Sequence, residues 1–363
     1  MHNVIIIGAG LAGLYTARLL HDSNVTCMVV EARDRIGGRI LTANEAGVPD
    51  HDGFDLGPSW FWPQMQPAMA ELVEELALPA FPQATEGDVL VERMSREGPQ
   101  RFQAYPAEAR SFRIVGGSGA LVQGIADALP ATDIRLGVRV TALALTNSGV
   151  EVAAEDHGAP ITLHARVVVC ALPPRLLAHS VQFTPAPDTV ALERWHRTPT
   201  WMAPHAKFFA MYDRAFWQDA GLCGTAQSMV GPMPEIHDAT TATGKPALFG
   251  FVGVSADQRA AMGERTLRDA CVAQLVRLFG VEAATPRATL LKDWAADPFT
   301  ATPADRMPSG HPVPDTAPWV SGAWAQHLVF GGSETSRTEP GYLAGAVTAA
   351  RSAAEAVRTR LGR

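Results

Sequence analysis

Residues 2–13 read HNVIIIGAGLAG, an apolar and mostly β-branched run that stops at the first of three glycines. Such a run is typical of a strand buried on both faces of a parallel sheet. Apolar residues then recur at helical spacing from Leu11 to Leu20, and a second strand is predicted over Val25 to Val30. The order strand, helix, strand predicts a β-α-β unit and an α/β fold.

The glycines of this stretch form the pattern GxGxxG between the first strand and the helix. In a nucleotide-binding turn Gly8 makes the bend, Gly10 admits a pyrophosphate to the backbone, and Gly13 lets helix and strand pack closely. Glu31 stands 18 residues after Gly13, at the end of the second strand, where an acid accepts the hydroxyls of an unphosphorylated ribose. The spacing predicts a dinucleotide site, and a purely structural glycine turn is the alternative.

The composition excludes several classes of protein. The 363 residues are 47% hydrophobic and 18% charged, which excludes a disordered chain. The 30 basic against 37 acidic residues, without a basic run, argue against binding nucleic acid and favour a small-molecule partner. The four cysteines form no CxxC pair and are expected to be free thiols. With no leader-like start and no run of 18 apolar residues, we expect a cytoplasmic protein without a membrane anchor.

Further elements follow from the periodicity of the apolar residues. The patterns predict helices over Met69–Leu76, Leu121–Leu129 and Leu267–Leu278, and strands within Ile134–Leu172, Ala206–Met211 and Ala247–Val254. A final alanine-rich helix is predicted from about Tyr342.

Residues 31–39 read EARDRIGGR, and this segment resembles the "EARxRxGGR" signature of the flavin-containing amine oxidase (monoamine oxidase-like) superfamily. The resemblance extends over nearly the whole chain and favours FAD over NAD. The other similar segments are Asp55-Leu56-Gly57, Gly116-Gly117-Ser118-Gly119, Val138-Arg139-Val140, Cys170-Ala171-Leu172-Pro173-Pro174, Phe330 to Thr335 and Pro340 to Ala346.

The resemblance implies a Rossmann-like FAD/NAD(P)-binding domain with a second, smaller α+β substrate domain. The FAD domain is expected to be discontinuous, over residues 1–79, 113–193 and 295–363, and the substrate domain to take 80–112 and 194–294. The implied contacts with non-covalently bound FAD are Gly8, Gly10, Leu11, Ala12, Gly13, Glu31, Ala32, Arg33, Gly37, Gly38, Arg39, Leu56, Gly57, Pro58, Ser59, Val140, Trp294, Gly332, Ser333, Glu334, Gly341, Tyr342 and Leu343.

Two residues are candidates for catalysis. Lys207 is one of three lysines beside 27 arginines and lies inside the apolar stretch Ala206 to Met211. A lysine in this position suggests that the site needs a compact amine that can lose its proton. The resemblance puts it near flavin N5 and implies a role with oxygen; a buried stem with its head in solvent is the alternative. Tyr342 matches one wall of an aromatic cage that orients the amine. His205 is interpreted as a structural histidine with its hydrogen bonds satisfied.

The chain also departs from the family pattern. The second cage wall is expected about ten residues after Trp294, yet Thr302 to Asp305 contain neither an aromatic residue nor the cysteine that would bind flavin covalently. Trp60, Phe61 and Trp62 are the alternative aromatic walls, or else core residues. Between Gln103 and Phe112 the chain is too short for the family's long helical insertion, so we expect a more open pocket and a short member of the family.

The resemblance implies an FAD-dependent oxidoreductase that oxidises an amine to an imine by hydride transfer to flavin N5. Oxygen would then reoxidise the flavin and yield hydrogen peroxide. Two alternatives stay open at this point: a desaturase or dehydrogenase acting on a carbon–carbon bond of a larger cyclic substrate, and a non-catalytic flavin-bound module.

Overall fold

The computed structural model describes residues 2–104, 110–130, 133–307 and 309–363. Its α-helices are α1 (Leu11–Asp22), α2 (Pro67–Glu75), α3 (Gly119–Asp127), α4 (Pro174–Ser180), α5 (Thr189–Arg197), α6 (Phe216–Asp219), α7 (Ala256–Met262), α8 (Glu264–Phe279) and α9 (Leu343–Leu361). Short 3-10 turns include Val281–Ala284, Trp294–Ala296, Pro303–Arg306, Gly322–Trp324 and Ser333–Thr335.

The strands in the first half of the chain are β1 (His2–Ile7), β2 (Cys27–Val30), β3 (Thr42–Ala43), β4 (Phe54–Asp55), β5 (Ala80–Pro82), β6 (Asp88–Glu92), β7 (Gln100–Gln103), β8 (Phe112–Ile114), β9 (Ile134–Arg135), β10 (Val138–Thr146), β11 (Gly149–Asp156) and β12 (Ala159–Cys170). They are followed by β13 (Gln182–Thr184), β14 (Ala206–Met211), β15 (Leu222–Ser228), β16 (Glu235–Asp238), β17 (Ala247–Val252), β18 (Ala288–Asp293) and β19 (Leu328–Phe330).

The first large sheet has eight strands in the order β13-β10-β11-β12-β1-β2-β9, with β19 also paired to β12. β1 runs parallel to β2 and β12, and β19 runs parallel to β12. Val4 to Ile7 are buried, as expected for a parallel strand covered on both faces. This arrangement confirms the predicted β-α-β unit and the α/β fold class, because β1 and β2 are parallel neighbours in the sheet and α1 connects them along the chain.

The helical layer on this sheet is held by small residues. α1 packs on α9, which is rich in alanine, and both contribute to one buried core cluster with Leu14 and Val347 at its centre. Gly13 is required at the crossing of α1 and β1, because a Cβ there would lie 1.9 Å from the carbonyl oxygen of Gly8. The close packing brings the start of α1 next to the carboxyl end of β1.

The second large sheet has seven strands in the order β18-β14-β17-β16-β15-β6-β7. β14 is antiparallel to β17 and β18, and all its residues are buried. The strands come from residues 88–103 and 206–293, which lie inside the two segments predicted for the substrate domain. The boundary predicted at residue 194 falls within α5, whose Trp195 packs in the core of the first sheet. The division into domains stays a prediction.

Three further observations bear on the sequence analysis. The four cysteines are buried and free, as predicted. Tyr105 to Ala109, in the shortened connection predicted between Gln103 and Phe112, lie outside the described residues. Among the helices of the described ranges, none is both long and apolar enough to cross a membrane.

Candidate active site

A cavity of about 440 Å³ lies where the carboxyl end of β1 meets one face of the seven-stranded sheet. It brings together 22 of the residues that the sequence predicted for the site. These are Gly8, Gly10, Leu11, Ala12, Glu31, Arg33, Gly37, Gly38, Arg39, Leu56, Gly57, Pro58, Ser59, Trp60, Trp62, Lys207, Trp294, Ser333, Glu334, Gly341, Tyr342 and Leu343.

Four predicted cofactor contacts do not line this cavity. Gly13 and Gly332 instead approach backbone carbonyls, and a Cβ on Gly332 would lie 2.8 Å from the oxygen of Leu172. Val140 lies in the core of the first sheet. Ala32 is next to the lining residues Glu31 and Arg33. The roles of all four residues toward FAD stay predictions. For Gly13 and Gly332, the close packing against backbone carbonyls explains why glycine is needed.

The glycine-rich turn leaves its backbone open to the cavity. Gly8 has φ of +104°, a conformation that favours glycine. A Cβ on Gly10 would have no neighbour closer than the Gly37 oxygen at 3.8 Å, so this side of the turn faces free space. Gly10 caps α1 without a side-chain hydrogen bond. The first N–H groups of α1 are therefore available to an anion in the cavity.

Glu31 is buried and holds the glycine-rich turn in place. Its Oε2 accepts the backbone N–H of Ala9 at 2.8 Å, and its Oε1 accepts that of Arg33 at 2.9 Å. The Arg33 guanidinium extends to Asp297 at 2.7 Å. Burial acts to raise the pKa of Asp297, but Arg33 and Lys292 outweigh it and hold that pKa below its usual value. This end of the cavity is thus a rigid network of paired charges.

A second ion pair ties the C-terminal motif to the EARDRIGGR segment. Arg39 Nη2 lies 2.6 Å from Oε1 of the buried Glu334, and Arg39 Nη1 donates to the carbonyl oxygen of Trp201 at 2.7 Å. Arg39 therefore links three segments that lie far apart in the sequence. α9 begins at Leu343, as predicted, and its N-cap Tyr342 makes no side-chain capping bond. A second helix N-terminus therefore borders the same cavity.

Lys207 is buried at the opposite wall. Its Nζ donates to the carbonyl oxygens of Asp55 and Gly57 at 3.2 and 2.6 Å, and to Ser59 Oγ at 2.9 Å. With 6% of its surface exposed, the alternative of a head group in solvent is wrong. The pKa of Lys207 is lowered to about 7: burial is the main cause, Asp55 opposes it and Arg113 adds to it.

The turn that holds Lys207 is itself fixed from behind. Asp55 Oδ1 accepts hydrogen bonds from Thr42 Oγ1 at 2.6 Å and from Ser118 N and Oγ at 2.8 and 2.9 Å. Gly117 has φ of +81° and lies directly against Thr42. The GGSG segment, which the resemblance identified, therefore contributes to the site indirectly, by supporting the Asp55–Ser59 turn.

The aromatic residues divide into wall and core. Trp60 and Trp62 line the cavity, and Trp60 also packs against a core cluster of the second sheet. Phe61 is buried in the core against Phe112 and does not line the cavity. Tyr342 packs on the Trp201 ring, with 4.8 Å between the ring centroids. Trp201 thus lies beside Tyr342, although the sequence analysis sought its partner after Trp294.

Several lining residues were missed or misread in the sequence. His205 precedes β14 and faces the cavity, and its buried Nδ1 has no hydrogen-bond partner among the described residues. The interpretation of His205 as a structural histidine stays a prediction. Trp201, Glu235 and Phe251 also line the cavity. Met202, next to Trp201, has a φ of +64° that is rare outside glycine, but this conformation is visible only in the structure and the local sequence carries no signal for Trp201.

Comparison with known proteins decides the family. The sequence profile of the flavin containing amine oxidoreductase family matches residues 11–113 and 99–358. The chain belongs to this family. The two matched segments meet at residues 99–113, the stretch where the sequence analysis predicts the shortened connection.

Two relatives illustrate alignments over nearly the whole chain. AofH of Mycobacterium tuberculosis, a protein named as a flavin-containing monoamine oxidase, is 26% identical over 99% of this chain and 97% of its own. An L-amino acid dehydrogenase of Synechocystis is 23% identical over 97% of this chain and 94% of its own. The alignment with AofH is 466 positions long, more than the 363 residues of this chain. This chain is thus a short member of the family.

Solved structures agree with the fold. Cyclohexylamine oxidase from Brevibacterium oxydans IH-35A superposes with a TM-score of 0.80, 24% identity and full coverage of both chains. Putrescine oxidase bound to putrescine gives a TM-score of 0.77 at 20% identity, covering 98% of each chain. At these identities the likeness shows the fold, a Rossmann-like domain with an added substrate sheet.

Family membership makes the protein an FAD-dependent oxidoreductase, and the cavity fits that cofactor. Two uncapped helix N-termini border it, the open side of Gly10 lets a diphosphate approach, and Glu31 closes one end. No cysteine is among the described lining residues, which agrees with non-covalent FAD. The relatives are named as a monoamine oxidase and an L-amino acid dehydrogenase, so neither the carbon–carbon desaturase nor the non-catalytic module is favoured.

Proposed function

We propose that the protein oxidises a small amine to an imine, passing hydride to flavin N5, and that oxygen then accepts the electrons and yields hydrogen peroxide. The observation that supports this most is Lys207. A buried amino group with a lowered pKa lies in the same cavity as the dinucleotide motif. Groups with such shifts concentrate at functional sites.

The residues of the cavity have separate roles in the proposed reaction. Bound FAD supplies the hydride acceptor. The N-terminus of α9 has free N–H groups, which would stabilise the negative charge that the flavin gains on accepting hydride. Trp60, Trp62 and Tyr342 form the aromatic surface for the amine carbon.

Lys207 acts in the oxidative half of the reaction. Held by three acceptors, its Nζ keeps a fixed position, and its ammonium form stabilises the negative charge that develops on oxygen as it is reduced. Loss of hydride from a neutral amine needs no strong acid and base pair. The imine then hydrolyses in water to a carbonyl compound and ammonia or a smaller amine.

Product stoichiometry tests this proposal. Purified holoenzyme is mixed with a primary amine in air, and the amine consumed is compared with the carbonyl compound, ammonia and peroxide formed. Equal amounts of all four support the proposal. Turnover without peroxide would move the protein to the dehydrogenases, and turnover without ammonia from a primary amine would contradict amine oxidation.

Three further expectations remain predictions. The amine substrate with oxygen as acceptor, and no nucleic-acid partner, follow from the resemblance and from the acidic composition. The cytoplasmic location also stays a prediction from the sequence.

A further inference from the structure

Lys207 belongs to a block of four side chains on one face of the seven-stranded sheet. Lys207 and Phe209 lie two residues apart on β14, and they are directly level with Phe251 and Phe249 of β17. Residues two apart on a strand, and residues directly paired between strands, project from the same face. The lysine therefore shares this face with three phenylalanines, Phe209, Phe249 and Phe251, which we call the phenyl cluster.

The phenyl cluster packs against the amino group of Lys207 and not only against its aliphatic stem. The Nζ atom lies 4.7 Å from the centre of the Phe249 ring and 5.3 Å from that of Phe251. The centre of the Phe209 ring is 6.0 Å away. A cation at such distances is attracted by the negative face of an aromatic ring, and the attraction is stronger where water is excluded.

The three rings hold one another in place. Phe249 stacks on Phe209, with 5.2 Å between centroids and 19° between planes, and it meets Phe251 nearly edge-on at 5.5 Å. Phe209 and Phe249 are buried in a core cluster of this sheet, whereas Phe251 lines the cavity. The phenyl cluster therefore keeps a fixed geometry around a buried amine.

No carboxylate neutralises Lys207 directly. Among the described residues, no acidic side chain lies within salt-bridge distance of Nζ, whose three hydrogen bonds go to two carbonyl oxygens and one hydroxyl. Burial lowers the pKa of Lys207 and the Arg113 guanidinium adds to this, whereas Asp55 acts against it. Burial also holds the pKa of His205, two residues before Lys207, below its usual value. The direct contacts of Nζ are thus neutral oxygens and aromatic rings.

The other titratable groups on the neighbouring strands have partners of their own. Lys292 of β18 is directly level with Lys207, and its ammonium lies 3.3 Å from Asp297. On the far side of the phenyl cluster, the side chains of Glu235 and His237 in β16 bind each other. These groups therefore leave the rings as the nearest source of negative potential on this face.

From this geometry we propose that the phenyl cluster is a cation–π site that keeps Lys207 as an ammonium ion for the reaction with oxygen. Only the charged form of the amine gains from the rings, because the neutral form has no net charge to place on them. Phe249 is the central ring, since it lies nearest to Nζ and touches the other two. It is a positioning residue that acts through Lys207. The inference rests on the proposed amine oxidation.

The charge state of Lys207 sets the rate of reoxidation in this account. Oxygen becomes negatively charged as it takes up electrons, and an ammonium ion stabilises that charge whereas a neutral amine does not. Lys207 keeps its proton in this role and acts through its charge alone. Reoxidation should therefore slow as rising pH removes the proton. Weaker rings would lower the pKa of Lys207 and move this loss of rate to lower pH.

Fluorination of Phe249 tests the proposal without opening a cavity. Phe249 is replaced by phenylalanine that carries one, two or three fluorine atoms, which withdraw charge from the ring face and change its shape little. Phe216 is the matched control position. It is also 3% exposed and belongs to a core cluster of the same sheet, but it does not line the cavity and is not among the rings around Lys207.

The titration of Lys207 can be followed directly, because the chain contains only three lysines. Holoenzyme with oxidised FAD is labelled with 13C at the lysine Cε, and its resonances are recorded from about pH 5 to about pH 11. Lys207→Met identifies the signal. The pKa of Lys207 should fall with each fluorine at position 249, by about one unit with three. A pKa that does not respond, or that responds equally to fluorination at position 216, would overturn the inference.

Reoxidation kinetics provide a second readout. Anaerobically reduced enzyme is mixed with oxygen in a stopped-flow instrument across the same range of pH. The midpoint of the loss of rate should move to lower pH with fluorination at position 249, in step with the NMR titration. The melting temperature should stay constant, because the volume of the ring is kept. A midpoint that stays in place would contradict the proposal.

The two levels of proposal fail differently. If fluorination shifts the titration of Lys207 but reoxidation does not follow, the rings set the charge and the proposed role of Lys207 with oxygen is wrong. If no amine reduces the flavin of a folded holoenzyme, the proposed function is wrong. The NMR titration needs no turnover, so in that case it still decides whether the phenyl cluster stabilises the ammonium ion.

Discussion

The Nζ of Lys207 lies 2.6 Å from the carbonyl oxygen of Gly57. This hydrogen bond joins the seven-stranded sheet to the turn after β4. This bond crosses between the two halves of the cavity and fixes the lysine at the wall opposite the glycine-rich turn. Because the amine is buried and satisfied by neutral acceptors, its charge state depends on its surroundings. The position of Lys207 therefore links stability, pH and the proposed reaction with oxygen.

We expect Lys207→Met to slow reoxidation more than it weakens FAD binding. Methionine keeps the length and apolar stem but removes the ammonium that stabilises charge on oxygen. Reoxidation of the anaerobically reduced enzyme, followed by stopped-flow absorbance on mixing with oxygen, should slow by about ten-fold or more. Lys245→Met is the control, since Lys245 is exposed and outside the cavity. Unchanged oxygen kinetics would remove this role from Lys207.

The lowered pKa of Lys207 predicts a pH-dependent difference in stability. Between about pH 7 and 10 the unfolded chain binds a proton at Lys207 that the folded protein does not. The free energy of unfolding of the wild type should therefore rise with pH in this window relative to Lys207→Met, by up to about 1.4 kcal/mol per pH unit. Urea unfolding of both proteins across this range measures the difference. Parallel curves would show that the folded-state pKa is normal.

Alanine substitutions at two glycines of the same motif should affect different properties, FAD binding in one case and stability in the other. A methyl group on Gly10 points to free space in the cavity, whereas one on Gly13 collides with the Gly8 carbonyl at 1.9 Å. Gly10→Ala should fold normally as apoprotein but bind FAD weakly, and Gly13→Ala should lose about 3 kcal/mol or more of stability without cofactor. Apoprotein melting and FAD titration separate the two effects. An equal loss of melting temperature in both would contradict this assignment.

Trp201 is expected to position Tyr342. Their rings pack with 4.8 Å between centroids, and both line the cavity. Removing the indole in Trp201→Ala frees the Tyr342 ring, so KM for amines should rise by about ten-fold, whereas Trp201→Phe should retain most of the wild-type value. Steady-state kinetics of both variants, with melting curves as a check on folding, test this prediction. Identical KM values in wild type and Trp201→Ala would refute it.

Elements read from local periodicity were predicted well. β1, α1 and α9 depend on patterns within each segment, so the sequence analysis placed them within a few residues. The placement of Glu235, Phe251 and Lys207 on one face of the seven-stranded sheet could not be found in this way. It depends on the pairing of β16, β17 and β14, which are separated by long connections, and a shift of one residue would turn Glu235 to the other face.

Trp201 was missed for a related reason. Tyr342 carried a motif, whereas Trp201 reaches it from a turn far away in the sequence, held by the bond from Arg39 to its carbonyl oxygen. Gly341 has a φ of +84°, and a Cβ there would lie 3.3 Å from the Trp201 ring. Such contacts between loops depend on the tertiary structure, so they leave no pattern in the local sequence.

The most direct test of the central claim is the visible spectrum of the purified protein during anaerobic addition of amines, followed by air. The account predicts that bound oxidised flavin loses its absorbance with at least one amine and regains it when oxygen enters. Flavin that stays oxidised with monoamines, diamines and amino acids alike would contradict amine oxidation, and a folded protein that cannot take up FAD would contradict the whole assignment of the cavity.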